Sequence, residues 1–497
     1  MDVSRNWYAV LGVAPGATQE DIREAYRVAA RRLHPDANRN EGADYLFRDI
    51  AAAYAVLGNS SQRAAYDSAR EHFKDDPGYF SLRVTPSKRV ISVMSEPQVL
   101  YLLAEITPRR QPAQKKQDAR LNLTLVLDRS KSMRGIRLDK VKIAANQIID
   151  QLSPEDILSV ITFSDRADVL IPASTASDKV AMRSMISIMR ADGGTEVFHG
   201  LQAGFEQNKR HFGPRLVNHI ILITDGRTFG DESQCLELAE KAAAKGISIS
   251  AMGIGDEWND KFLDALASRT GGTSAYINSP TAVVRFLNER VRSLGNAFAE
   301  RLQFAVAPDA DIDLESLFKL QPTPQPTEVA PQPIPIGVLE NNRPMSFLIQ
   351  LQMPPSPKPG FRTVARLDAA GDVLAANRQA YRVLSDIAVE ISDNPPVEEP
   401  PLAILDALGK LTLYRMQQKA EEALASGQPA EATRHLENLA TRLLASGQTE
   451  LAQQAIIEAR RIAHTSALSE EGRKNLKFGT RMLLAAPEQT DQQEDDA

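Results

Sequence analysis

The chain has 497 residues, 43% hydrophobic and 25% charged, more than one ordinary core accommodates, so several domains are expected. A formal net charge of −6 argues against a general nucleic-acid role, which needs a basic face. The single cysteine, Cys235, excludes an internal disulfide and a CxxC zinc site and fits a reducing compartment.

The chain starts MDVSRNWYAVLGV, without the basic-then-apolar pattern of a secretory signal. No apolar run reaches the ~18 residues of a membrane span. A cytoplasmic protein with no nucleic-acid partner and no membrane span is expected. Residues 1–75 read as a compact helical unit. In ATQEDIREAYRVAARRL the apolar positions Ile22, Ala25, Val28, Ala29 and Leu33 follow helical spacing, and Thr18 with Asp21 forms a capping-box pattern. His34-Pro35 stops this helix, because proline disfavours helical geometry in the residue before it. Further helices are expected over about 41–57 and from Ser60, then a linker over 76–81.

Residues 82–107 switch to period two, with Leu82, Val84, Val99, Tyr101 and Leu103 as strand positions, before the basic connector TPRRQPAQKKQDAR, and 82–118 is taken as the first part of a sheet structure. From 119 to 296 apolar strands alternate with helices, which predicts an α/β doubly wound, mostly parallel sheet with helices on both faces. Cys235 falls in one of these helices and reads as a small buried hydrophobe. Strand rhythm returns over 297–392, at Leu302, Phe304 and Val306 and again at Phe347, Ile349, Leu351 and Met353, with a hairpin expected around AAGD. Strands on both sides of the α/β unit predict a β-sandwich into which that unit is inserted. The proline-rich QPTPQPTEVAPQPIPIG, residues 321–337, reads as a long exposed loop of the sandwich, with a peptide that recruits a proline-binding module as the alternative. Residues 400–485 read as α-helical hairpins in which LASGQ occurs twice, each Gly a helix stop, and 486–497 as a disordered acidic tail.

Two short stretches carry chemistry. LTLVLDRSKSMRG places Asp128, Ser130 and Ser132 at alternate positions at the carboxyl end of a parallel strand, the edge where open α/β sheets collect ligands. ADGGTEVFHGL places Thr195, and IILITDGRT places Asp225, at the same edge. Five side-chain oxygens from three loops suit a hard divalent cation such as magnesium, and no His or Cys joins them to favour zinc. Turn formers and helix caps are the other reading of these residue types. DRSKS … GGT … TDG is similar to the metal-ion-dependent adhesion site (MIDAS) of von Willebrand factor type A (VWFA) domains, over about 121–296, with Lys131 where the motif often has Gly. The resemblance implies that Asp128, Ser130, Ser132, Thr195 and Asp225 are a shell for Mg2+ or Mn2+, completed by an acidic group of a bound protein.

The second stretch is His34-Pro35-Asp36. With WYAVLGV before it and FRDIAAAYAVLGNSSQRAAYD after it, it is similar to the J domain of the DnaJ family across 5–67. Pro35 stiffens a loop between two helices, His34 and Asp36 flank it, and Arg23, Arg27, Arg31 and Arg32 at helical spacings can form a basic stripe for an acidic partner surface. A solvated charged face is the other reading of that stripe. The resemblance implies that these residues bind a DnaK-type chaperone and trigger its ATP hydrolysis. The Gly/Phe-rich linker and CxxCxGxG repeats of full-length DnaJ are not found. A co-chaperone that brings a DnaK-type chaperone to a protein client is expected. The alternative is a metal-dependent scaffold for a multiprotein complex. No GxxxxGK[ST], GxSxG or HExxH motif suggests an enzyme.

Overall fold

The computed structural model describes residues 6–70, 78–109, 119–213, 215–228, 230–279, 282–356, 358–376 and 378–485. The tail expected at 486–497, most of the basic connector and part of the 76–81 linker lie outside these residues.

Helices α1 (Trp7–Leu11), α2 (Gln19–Leu33), α3 (Glu41–Leu57) and α4 (Ser60–Arg70) form the first unit. The Thr18 hydroxyl accepts from the Asp21 N–H while the Asp21 carboxylate accepts from the Thr18 N–H, so the capping box closes as expected. α2 ends at His34 in extended geometry before Pro35. Ile22, Ala29 and Leu33 pack with Leu46, Ile50, Ala53 and Leu57, whereas Val28, counted as an inward position, faces solvent beside the arginines.

Strands β1 (Phe80–Pro86), β2 (Val90–Ser92) and β3 (Gln98–Pro108) follow. The α/β unit then runs β4 (Arg120–Asp128), α5 (Ile136–Gln151), β5 (Ile157–Phe163), β6 (Ala167–Thr175), α6 (Lys179–Ser187), α7 (Val197–Lys209), β7 (Leu216–Thr224), α8 (Glu232–Ala244), β8 (Ser248–Ile254), α9 (Asp260–Ser268), β9 (Ser274–Ile277) and α10 (Ala282–Gly295). After it come β10 (Ala297–Pro308), β11 (Asp313–Gln321), β12 (Gln325–Thr327), β13 (Ile334–Glu340), β14 (Met345–Met353), β15 (Gly360–Val373) and β16 (Arg378–Ser392). The chain closes with α11 (Leu402–Ala425), α12 (Pro429–Ala445), α13 (Thr449–Thr465) and α14 (Glu470–Met482).

Among the described residues the strands make three sheets, ordered β1-β3-β14-β11-β12, β13-β10-β15-β16-β2 and β6-β5-β4-β7-β8-β9. The first two are the faces of the sandwich. β3 pairs antiparallel with β14 and β2 pairs parallel with β16, so strands from before the α/β unit are completed by strands from after it. The third sheet is parallel except for its edge strand β6. Neither β6 nor α6 was anticipated. Pro172 in β6 breaks the strand pattern and is tolerated only because β6 is an edge.

Three other expectations change. On β3 the sandwich core is lined by Leu100, Leu102, Ala104 and Ile106, not by the Val99–Leu103 face; Tyr101 and Leu103 are covered instead by Ile404, Leu411 and Tyr414 of α11. β3 is apolar on both faces, so alternation alone does not say which one meets the core. The AAGD segment lies inside β15, with a bulge near Gly371, and the hairpin turns beyond Val373. The proline-rich stretch is not one open loop: β12 falls within it, β13 begins in it, and Ile334 and Ile336 are buried.

Both LASGQ segments end helices as expected. Gly427 (φ 72°) and Gly447 (φ 77°) take the left-handed geometry that glycine adopts freely, and the Gln428 and Gln448 N–H groups reach back to Ala423 O and Leu443 O. Cys235 is buried in α8, where burial pushes its thiol up. No described helix is long and apolar enough to cross a membrane.

Candidate functional site

β4 lies between β5 and β7, where the crossovers diverge to opposite sides, so a crevice opens at its carboxyl end. Asp128 stands there, fully buried. Its Oδ1 accepts the Ser130 N–H at 2.8 Å and its Oδ2 accepts the Thr224 hydroxyl at 2.7 Å. Ser132 donates to Asp225 Oδ1 at 2.7 Å, and its Oγ lies 2.9 Å from Ser130 Oγ. Four of the five anticipated residues therefore form one hydrogen-bonded chain. Thr195 joins from the side: a Cβ built on Gly226 would sit 3.2 Å from its Oγ1, so only a small residue after Asp225 leaves it room. The loops are tied together by Lys131 N–H to Gly193 O (3.2 Å) and Asp192 N–H to Arg129 O (2.7 Å).

Burial pushes the Asp128 carboxyl up to about 6, against the hydrogen bonds from Ser130 and Thr224 that favour its charged form; the Asp225 charge adds to the rise. Two residues were missed. Thr224 orients Asp128, and it was legible as the Thr of TDG. Arg137, near the start of α5, places Nη1 2.5 Å from Asp225 Oδ2; nothing local in the sequence signals this, since the partners are 88 positions apart. Around the crevice Lys131, Arg134 and Arg227 are exposed. Among the described residues no group of three or more His, Cys, Asp or Glu is placed to hold a metal. A cation here would rest on two carboxylates, three hydroxyls, water and an outside group, a donor set suited to a hard ion.

The second site is the turn between α2 and α3. Pro35 and Asp36 are exposed, the Asp36 N–H donates to His34 Nδ1 at 3.2 Å, and the imidazole stands edge-on to Phe47 with centroids 5.0 Å apart. Arg23, Arg27 and Arg31 are exposed along α2. Arg32 is not part of that stripe. It turns inward and pairs with Asp309 at 3.0 Å and Asp386 at 3.6 Å on the sandwich.

Three family profiles match: "DnaJ domain" over 6–67, "von Willebrand factor type A domain" over 122–289, and "Sll0103-like, C-terminal alpha-helical domain" over 402–486. The chain is 29% identical over 381 residues to the Synechocystis protein sll0103, covering 74% of this chain and 89% of that one. It is 44% identical over 63 residues to chaperone protein DnaJ of Staphylococcus aureus, covering 13% of this chain and only 17% of that protein. Its fold matches a von Willebrand factor type A protein from Catenulispora acidiphila (TM-score 0.64, 14% identity, 81% of this chain, 96% of that one). It also matches the ArnB paralog VWA2 from Sulfolobus acidocaldarius (TM-score 0.52, 15% identity, 82% of this chain, 100% of that one). The chain therefore carries a J domain of the DnaJ type over 6–67 and a von Willebrand factor type A domain over 122–289.

Proposed function

We propose that this protein is a co-chaperone that brings a DnaK-type chaperone to a protein client. The observation that carries this reading is the exposed His34-Pro35-Asp36 turn beside the open Arg23, Arg27 and Arg31 face. That face suits an acidic surface on the chaperone. ATP hydrolysis belongs to the partner, and the protein itself is not an enzyme. The client is held at the crevice by Asp128, Ser130, Ser132, Thr195 and Asp225 around Mg2+ or Mn2+, which would supply a coordination position for an acidic side chain of the client. Exposed Lys131, Arg134 and Arg227 favour the same acidic group. A reducing cytoplasm is its place of work, in keeping with a single buried cysteine.

The test is single-turnover ATP hydrolysis by a cognate DnaK-type chaperone with the full chain. Wild type should accelerate it, and His34→Gln should abolish the acceleration with an unchanged circular dichroism spectrum. Equal acceleration by the variant would leave the scaffold reading as the better one.

Arg137 supplies a further check. Its guanidinium already neutralises part of the Asp225 charge and stands where it repels a cation. Arg137→Gln should therefore bind manganese about tenfold more tightly than wild type by isothermal titration, an effect of ~1.4 kcal/mol. Weaker binding by Arg137→Gln would make the arginine a support of the site rather than a competitor.

A further inference from the structure

We propose that the sandwich holds the His34-Pro35-Asp36 turn in its working geometry, with Asn38 as the positioning residue, so that the chaperone-stimulating unit is the J domain together with the end of β10. The proposal rests on the co-chaperone reading above.

Asn38 lies four positions after His34 and is 1% exposed. Its amide nitrogen donates to Arg32 O at 3.0 Å and to Pro308 O at 2.9 Å. Its Oδ1 accepts from the Asn40 N–H at 3.1 Å and from the Asn40 side-chain amide at 3.0 Å. Both donors and both acceptor positions of the amide are thus used. One side chain ties the end of α2, the start of α3 and the last residue of β10 to each other across the turn. The turn's own bonds, from the Ala37 and Asn38 N–H groups to His34 O, sit directly above this clamp.

Ion pairs flank it. Arg32 meets Asp309 and Asp386, and Arg382 meets Asp49 at 2.5 Å and Asp368 at 3.0 Å while donating to the Tyr45 hydroxyl at 2.6 Å. α3 lies flat on β10. A Cβ on Gly42 would come within 2.1 Å of Val306 O, so no side chain fits there, and Ala307 belongs to the J domain's own apolar cluster. Buried polar contacts of this kind are directional, and they fix one docking angle more strictly than an apolar face of the same size.

The docking hides one face of α3 and leaves Pro35, Asp36, Arg23, Arg27 and Arg31 in solvent. A partner seated on the turn also finds sandwich atoms beside it: a cleft of about 550 Å³ is walled by Pro35, Arg39 and Arg48 on one side and Pro331 and Gln332 on the other. A turn held in place before the partner arrives loses less freedom on binding than one on a tethered module.

The experiment uses the full chain in the ATP hydrolysis assay, read as the concentration giving half-maximal acceleration and the maximal acceleration. Asn38→Ala and, on the sandwich alone, Asp309→Ala with Asp386→Ala should each raise the half-maximal concentration about tenfold and leave the maximum unchanged, as loss of the Asn38 amide bonds in the first and of both Arg32 ion pairs in the second predicts. If Asn38→Ala fails to fold, the sandwich variants still decide, because no J-domain residue changes in them. Wild-type half-maximal concentrations in the sandwich variants, with His34→Gln inactive, would overturn this proposal alone. An active His34→Gln would overturn the co-chaperone reading beneath it.

Discussion

Replacing Arg481 with methionine is expected to lower the stability of the full chain by about 3–5 kcal/mol, the usual cost of leaving one member of a buried ion pair without its partner. Arg481 is 1% exposed. It holds Asp264 with two parallel bonds of 2.9 and 2.6 Å, reaches Ser274 Oγ at 3.2 Å and stacks over Phe478 at 4.7 Å. The same face of α14 brings Arg473 to Asp260 at 2.6 Å, Lys477 to Asp264 at 2.8 Å and also to Asp260, and Lys474 to the Asp256 and Trp258 carbonyls at 2.7 and 2.6 Å. This network fastens the C-terminal helices to α9 of the type A domain. Methionine keeps the stacking volume but strips Asp264 of its bidentate partner, and Lys477 is already shared.

A pH signature should accompany the loss. Burial would raise both carboxyls, but for Asp260 the hydrogen bond from Arg473 and for Asp264 the charge of Arg481 lead a set of cationic contacts that hold them well below the usual carboxylate range. Folded values below unfolded ones mean stability that is fully present above about pH 4 and lost as pH falls further. In Arg481→Met the Asp264 carboxyl loses the cation that holds it down, so the deficit against wild type should shrink as pH falls below about 4. Denaturant unfolding at pH 7 and at about pH 3 measures both. A change below about 1 kcal/mol at pH 7 would mean that the network is not a clamp.

Chelation should lower the melting temperature of wild type and leave Asp225→Ala almost unmoved. At magnesium or manganese ~100 times its dissociation constant, loss of the ion costs about 2.7 kcal/mol of apparent stability. Asp225 is the residue to remove because it ends the chain of hydrogen bonds through Ser132 and Ser130 and is one of the two carboxylates among the five residues. Client capture should fall with EDTA, return with magnesium and be missing in Ser130→Ala/Ser132→Ala. Acceleration of the DnaK-type chaperone should persist throughout, because the His34 turn joins α2 to α3 while the crevice is built at the ends of β4 and β7. Absence of magnesium and manganese uptake by wild type at millimolar concentration would sink the metal reading. A client that binds equally well in EDTA would move recognition to the helical C-terminus.

What could be read in advance was what neighbours along the chain enforce. The Thr18–Asp21 box, the stop at His34-Pro35, the glycine stops at 427 and 447 and the alternation of Phe347, Ile349, Leu351 and Met353 all arise from contacts within a few residues. The place of Asp128, Ser130, Ser132 and Asp225 at one sheet edge was also legible, because each stands at or just after the carboxyl end of β4 or β7. Distant pairing settled the rest. Arg31 and Arg32 are adjacent and chemically alike, yet one faces solvent and the other is bound to residues 277 and 354 positions away. Arg137 and Asp225, Asn38 and Pro308, and Arg481 and Asp264 meet only after three sheets have assembled. A single sequence records local geometry through spacing, but it holds no signal for which charge will meet which across a packed interface. That choice depends on where whole elements come to rest, and so it belongs to the tertiary structure.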